Sequence, residues 1–228
     1  GYLPEAIVNY VALLGWNPGT EQEFFRLEDL VKAFDTKRIS KSPAAYSLDK
    51  LTWLNSEHIR ALTPEAFHKL ALTYYPETVR DLDLAKISRL IQIRTERLTD
   101  IPEAVVFLGA LPSYEVSLFV HEKSKSTLNS SKQVLEQVIP LLENLEEWNN
   151  DAIFALLKEY AGSHELKLGT VMWPIRSALS GQSSTPGGAT ELADLLGKRE
   201  SIHRLKRGLA KLIVRSMDIH LENLKPSA

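Results

Sequence analysis

Leu3-Pro4-Glu5-Ala6-Ile7-Val8-Asn9-Tyr10-Val11-Ala12-Leu13-Leu14-Gly15, near the start of the chain, carries the spacing that decides the fold class. Leu3, Ile7, Tyr10, Val11 and Leu14 recur at the interval of one helical face, Pro4 suits a first turn, and Gly15 suits a C-terminal cap. The same period continues along the chain. After the turn signal Asn17-Pro18-Gly19-Thr20, Leu27, Leu30, Val31 and Phe34 stripe a second helix. Ser47 caps a third, with Leu48, Leu51 and Leu54 inward and Trp53 beside them. Thr63-Pro64 opens a helix striped by Phe67, Leu70, Ala71 and Tyr74 and stopped at Pro76. Leu84, Ile87, Leu90 and Ile91 mark the next, and Asp100-Ile101-Pro102 starts another, so the first 110 residues hold about six helices.

Between Gly109 and Ser131 the pattern lapses into a polar run, the best candidate for a subdomain boundary. Beyond it Val134, Val138, Leu142 and Leu145 form a long stripe, with a kink expected at Pro140. Ile153, Leu156, Leu157 and Tyr160 follow, then a helix from about Leu168 to Leu179. Gly181-Gln182-Ser183-Ser184-Thr185-Pro186-Gly187-Gly188 has the composition of the most flexible loop in the chain. A short stripe, Leu192, Leu195 and Leu196, ends at Gly197, and Ile202, Leu205, Leu209 and Leu212 form a final basic helix. No period-2 strands and no fixed-length repeat occur. The class is all-α.

At 44% hydrophobic and 25% charged residues, the 228-residue chain has an ordinary globular composition. It has no apolar run of membrane-spanning length and no secretory signal pattern, so no membrane and a cytoplasmic location are expected. The absence of cysteine excludes disulfides and thiolate-bound zinc. The net charge of −2 is unevenly spread: Lys198 to Arg215 holds seven basic residues against Glu200 alone, while Glu136, Glu143, Glu146, Glu147 and Asp151 lie in a stretch without a base. Such asymmetry either orients a polyanion or marks two solvated helix faces.

Catalytic and metal-binding signatures are missing. The six histidines never pair at i, i+4, and HExxH, GxSxG and GxGxxG do not occur, so no catalytic residue and no metal ligand is assigned. Arg38-Ile39-Ser40-Lys41-Ser42 looks like the lysine loop with which class I aminoacyl-tRNA synthetases hold ATP phosphates. The nucleotide-binding α/β domain which that loop serves cannot fit in the 37 residues before it.

Taken in longer blocks, the sequence resembles bacterial-type glutamyl-tRNA synthetases. Gly1-Tyr2-Leu3-Pro4-Glu5-Ala6 through Asn9-Tyr10 to Leu14-Gly15-Trp16 is similar to the segment after that family's true lysine loop. Arg38 to Pro43, with Asp49-Lys50-Leu51, Trp53-Leu54-Asn55 and Ile59-Arg60, is similar to the block that follows. Lys167-Leu168-Gly169, Pro174-Ile175-Arg176, Ala178-Leu179, Gly181, Thr185-Pro186-Gly187 and Leu195-Leu196-Gly197-Lys198 are similar to its last subdomain.

The resemblance implies a helical stem-contact region at 1–60, followed by two helical anticodon-binding subdomains at 61–123 and 124–228. It implies a monomeric chain that binds tRNA(Glu) and catalyses nothing alone. The parent ligase would join glutamate to tRNA using ATP and magnesium, whereas this piece would need no cofactor. The start at Gly1 rather than methionine fits a piece of a longer protein. In the family, arginines of the two C-terminal subdomains read anticodon cytosines, and the matching positions are Arg176 and Arg94, with Arg97 one helical turn from Arg94 as the register alternative. Thr185, Pro186 and Gly187 match the loop lining the family's anticodon pocket. Trp53 and Trp173 are candidates for base stacking or for core. The competing reading of the composition is a helical protein–protein adaptor using the acidic stretch from Glu143 to Asp151.

Overall fold

Side-chain caps fix where the helices begin. The computed structural model describes residues 1–40 and 45–223, with side chains to 216. Its helices are α1 (Pro4–Gly15), α2 (Leu27–Ala33), α3 (Leu48–Arg60), α4 (Pro64–Ala71), α5 (Leu84–Ile91), α6 (Ile101–Gly109), α7 (Leu128–Glu143), α8 (Asn150–Ser163), α9 (Leu168–Ser180) and α10 (Ala189–Asn223), the last broken at Gly197. Ser47, Thr63, Asp83, Thr127 and Asn149 each accept a hydrogen bond from the backbone N–H three residues on, satisfying a donor that the first turn leaves unpaired. Among the described residues, extended pairing is confined to isolated bridges, Trp16 with Ile39 and His121 with Ser126. The all-α expectation holds.

Two compact units make up the chain, Gly1–Val105 and Val106–Ala228, and the division falls inside α6. In the first unit α1 packs on α3 through Tyr10, Leu51 and Leu54, and a second cluster gathers Trp16, Phe25 and Leu30. Buried amides connect the irregular segments to the helices. Asn9 donates to the Glu23 carbonyl and accepts from the Phe25 N–H, 2.9 Å each. The Asn55 side chain accepts from the Leu3 N–H at 2.7 Å. Gln92 donates to the carbonyls of Ile59 and Leu62, closing the end of α3.

This arrangement corrects two stripes. On α1 the inward face is Ala6, Asn9 and Tyr10, leaving Ile7 and Val11 44% and 58% exposed. Asn9, buried here, is hydrogen-bonded to the 23–25 segment, and the face it shares with Ala6 and Tyr10 is the one turned inward. On α2 only Leu30 is buried, with Leu27, Val31 and Phe34 exposed. His58, also buried, reaches the acceptor oxygen of Asn9 through Nε2 at 3.2 Å, so the ring nitrogen is the donor.

The second unit is a bundle of α7, α8, α9 and α10, with Val134, Val138, Leu142, Ile153, Leu157, Ile175, Leu179, Leu192 and Leu205 inside. Helix α7 runs through Pro140 to Glu143 as one element. The polar run between Gly109 and Ser131, where the apolar pattern lapses, is folded into the unit. Phe119 is fully buried there, and the hydroxyls of Ser126 and Ser131 both donate to its carbonyl.

The basic run of the last helix is divided: Arg199, Lys206, Arg207 and Arg215 are exposed, whereas Arg204 is buried. Arg204 is 1% exposed and donates to the carbonyls of Phe107, Leu108 and Leu179, 2.8 Å each, while its Nε meets Glu200 at 2.7 Å. Lys198 donates to the Leu145 carbonyl, Lys206 pairs with Glu143 at 2.6 Å, and Lys211 donates to the Tyr114 carbonyl. Glu143 of the acidic run thus meets Lys206 of the basic run within the unit. Gly208 makes this packing possible, because a Cβ there would lie 2.8 Å from that of Ala178 on α9.

Two stability tests follow from these contacts. Arg204→Met strands buried carbonyls and is expected to cost at least ~3 kcal/mol in urea unfolding, whereas Lys206→Met, at a surface ion pair, changes stability by under ~1 kcal/mol. Burial holds the His58 pKa below its ordinary 6.5, opposed by the charge of Glu5. The unfolded chain then takes up the proton first, so this site contributes its full stability above pH 6.5 and loses it as the pH falls, levelling below the folded pKa. Unfolding measured from about pH 7 to 5 should weaken less with acid in His58→Gln, which keeps a donor toward Asn9, than in the unaltered chain.

Candidate functional site

Trp173 and Arg176 stand three residues apart on α9, on neighbouring positions of one helical face. The indole Nε1 donates to the Leu118 carbonyl at 2.8 Å, which fixes the ring plane. The Arg176 guanidinium carbon lies 4.4 Å from the ring centre, within cation–π range. Its amino groups donate to the Thr185 hydroxyl at 3.3 Å and the Ser183 carbonyl at 2.8 Å. The arginine is therefore gripped on one side by an aromatic ring and on another by the loop that follows its helix.

That loop is pinned rather than loose, contrary to its composition. Gly181 ends α9 in the left-handed region at φ 64°, and a Cβ there would come within 2.8 Å of the Tyr114 ring, so glycine is required twice over. Ser180 donates to the Arg176 carbonyl and accepts from the Gln182 N–H. Thr185 is buried and donates to the Gly187 carbonyl at 2.7 Å. The Gly188 N–H donates to Glu191 at 2.7 Å, closing the loop onto the first turn of α10.

A cavity of about 240 Å³ opens beside this grip, lined among others by Phe154, Met172, Trp173, Arg176, Gly188 and Thr190. It is smaller than the ~300–1,000 Å³ clefts that take drug-sized ligands, and its mixture of flat apolar walls with one guanidinium suits a single planar polar group.

The expected site residues fall into two groups. Arg176, Thr185, Pro186 and Gly187 come together in the second unit. Arg94 and Arg97 belong to the first, and no continuous helix joins them. Arg94 ends a 3₁₀ turn, Gln92–Arg94, after which extended Thr95 breaks the helix, its hydroxyl donating to the Ile91 carbonyl. Arg97 precedes a separate turn, Leu98–Asp100, and its fork is occupied by both carboxylate oxygens of Asp100, at 2.9 and 3.1 Å. Arg94 is exposed, on a turn anchored through Gln92 to the end of α3.

Residues 65–209 match the family described as Anticodon binding domain. The chain belongs to that family. Residues 1–53 match the family described as tRNA synthetases class I (E and Q), catalytic domain. Among similar proteins, glutamate–tRNA ligase of Clostridium tetani (strain Massachusetts / E88) is 50% identical over 213 residues, covering 93% of this chain and 44% of the relative. That of Clostridium novyi (strain NT) is 49% identical over 221 residues, covering 93% and 45%. The crystal structure of a glutamate tRNA ligase from Elizabethkingia meningosepticum in complex with its amino acid superposes with a TM-score of 0.78 at 25% identity, covering 93% of this chain and 42% of that one. The chain spans under half the length of these relatives.

Sequence reasoning missed Phe154 and His121. Phe154 lies off the apolar stripe of α8, 40% exposed at the cavity; an aromatic misplaced with respect to its stripe was the available signal. His121 stacks on Trp173 with ring centres 3.6 Å apart and planes 6° from parallel, a contact between residues 52 positions apart that no local pattern announces. Trp53 is 42% exposed on α3. The Arg38–Ser42 match is only partly visible, since Lys41 and Ser42 lie outside the described residues. Among the described residues no group of three or more His, Asp or Glu side chains is arranged to hold a metal.

Proposed function

We propose that this chain is the tRNA-recognising part of a glutamate–tRNA ligase, reading the anticodon of tRNA(Glu). The observation that carries the reading is the Arg176 guanidinium, set between Trp173 and the Thr185 loop at the cavity mouth, within the part of the chain that belongs to the anticodon-binding family. Single-stranded anticodon bases are recognised when splayed out, stacked on aromatic or guanidinium planes and bonded along their edges. An arginine fork offers donors only, which suits the adjacent N3 and O2 acceptors of cytosine. Phe154 and the indole supply apolar walls, and the Thr185–Gly187 loop keeps the guanidinium oriented.

The same chemistry assigns Arg94 to the third anticodon base, cytosine in glutamate anticodons and guanine in glutamine anticodons. Arg97, whose fork Asp100 engages on both sides, is the register alternative. Residues 1–60 are proposed to contact the tRNA stem, and 61–123 and 124–228 to form the two anticodon-binding subdomains. Glutamate activation with ATP and magnesium is assigned to the parent ligase, and this chain is proposed to act as a cytoplasmic monomer without cofactor. No helix among the described residues is long and apolar enough to cross a membrane. The adaptor reading has no family match to support it, whereas residues 65–209 match the anticodon-binding family.

In competition between two tRNA transcripts differing only at the third anticodon base, the chain should prefer cytosine over guanine by about tenfold, from the ~1–3 kcal/mol typical of a bidentate contact. Arg94→Gln, which both donates and accepts, should narrow the ratio, while Arg97→Gln should leave it. Collapse of the ratio in Arg97→Gln alone would move the assignment to that residue, and equal binding of both transcripts by the unaltered chain would overturn it. Glutamate-dependent ATP–pyrophosphate exchange should stay at background for this chain; exchange in a contaminant-free preparation would refute the assignment of activation elsewhere.

A further inference from the structure

Arg176 does not set its own position. Its cation–π partner, Trp173, is held by the segment of the second unit where the apolar pattern lapses. The Leu118 carbonyl takes the indole N–H, and the His121 imidazole lies parallel to the indole at 3.6 Å. The imidazole is itself fixed. The Ser124 backbone N–H points at Nδ1 at 3.2 Å and the Ser124 hydroxyl lies 2.8 Å from the same nitrogen, so Nδ1 is an acceptor and the neutral ring carries its hydrogen on Nε2. The turn is closed by the His121–Ser126 bridge, with Lys125 in the left-handed region at φ 52°. It is tied to α9 one turn before Trp173, where the Thr170 hydroxyl donates to the Ser124 carbonyl at 2.7 Å. The imidazole and the indole ride on two segments locked together at this point.

The consequence concerns the guanidinium. A long arginine side chain has many rotamers, and ordering it at the moment of binding weakens affinity. A tryptophan held on one face and at its N–H presents the guanidinium with a ring already in place. We infer that His121 is a positioning residue for base recognition, fixing the Trp173 plane on which Arg176 is oriented. This rests on the reading of Arg176 as a base-contacting residue. His121 has no contact with the base in this scheme and acts only through the stack.

The test uses the full chain and anticodon hairpin RNAs carrying the sequence CUC, with each anticodon base replaced by guanine in turn. Arg176→Ala first identifies the position whose discrimination depends on Arg176. His121→Ala should reduce discrimination at that same position by roughly three- to tenfold, the scale of a lost aromatic contact, and leave the other positions unchanged. His121→Phe, which keeps a flat ring against the indole, should retain most of it. If Arg176→Ala changes discrimination nowhere, the reading of the site fails and the inference falls with it. If Arg176→Ala has its effect but His121→Ala does not, or weakens all hairpins equally, the positioning role alone is overturned.

Discussion

The buried guanidinium of Arg204 is the contact on which the second unit turns. Two chain segments end their helices around it, α6 with the carbonyls of Phe107 and Leu108 and α9 with that of Leu179. Terminal carbonyls of a helix have no partner within it and cannot be buried unpaired without cost. A five-donor side chain inserted between the ends satisfies them together and adds a positive charge at helix C-termini, where the macrodipole favours it. The charge itself is answered by Glu200 one turn away. Because α9 carries Trp173 and Arg176, the same contact sets the end of the helix that presents the candidate site.

A second consequence is economy of charge. Of the basic residues in α10, Lys198, Arg204, Lys206 and Lys211 have partners within the unit, while Arg199, Arg207 and Arg215 are exposed. What the candidate site offers instead is a single guanidinium in a fixed orientation. Such a site discriminates by matching donors to acceptors rather than by total charge, in keeping with the overall charge of −2.

Buried polar side chains also do in the first unit what strands do in other folds. Asn9, Asn55 and Gln92 each hold a non-helical segment by its backbone groups. Their demands override local hydrophobicity: α1 turns Asn9 inward and leaves Ile7, Val8 and Val11 outside. The exposed apolar residues of α1 and α2 all lie within the part that matches the class I catalytic-domain family.

The sequence by itself determined the class, the number of helices in the first half, the helix starts at Ser47 and Thr63 and the loop from Gly181, because helical period, capping hydroxyls and glycine-rich turns are local properties written within a few residues. It also brought Arg176 and the Thr185–Gly187 loop to attention through their motif. Only the tertiary structure decided which face of α1 is inside, that the polar run before α7 is packed and holds Trp173, that Arg94 and Arg97 sit on separate turns, and that Arg204 of the basic helix is buried. Each of these depends on a partner tens of residues away, whether a carbonyl, an amide or a ring. Where a side chain must satisfy a buried group, its hydrophobicity and charge no longer say which way it faces.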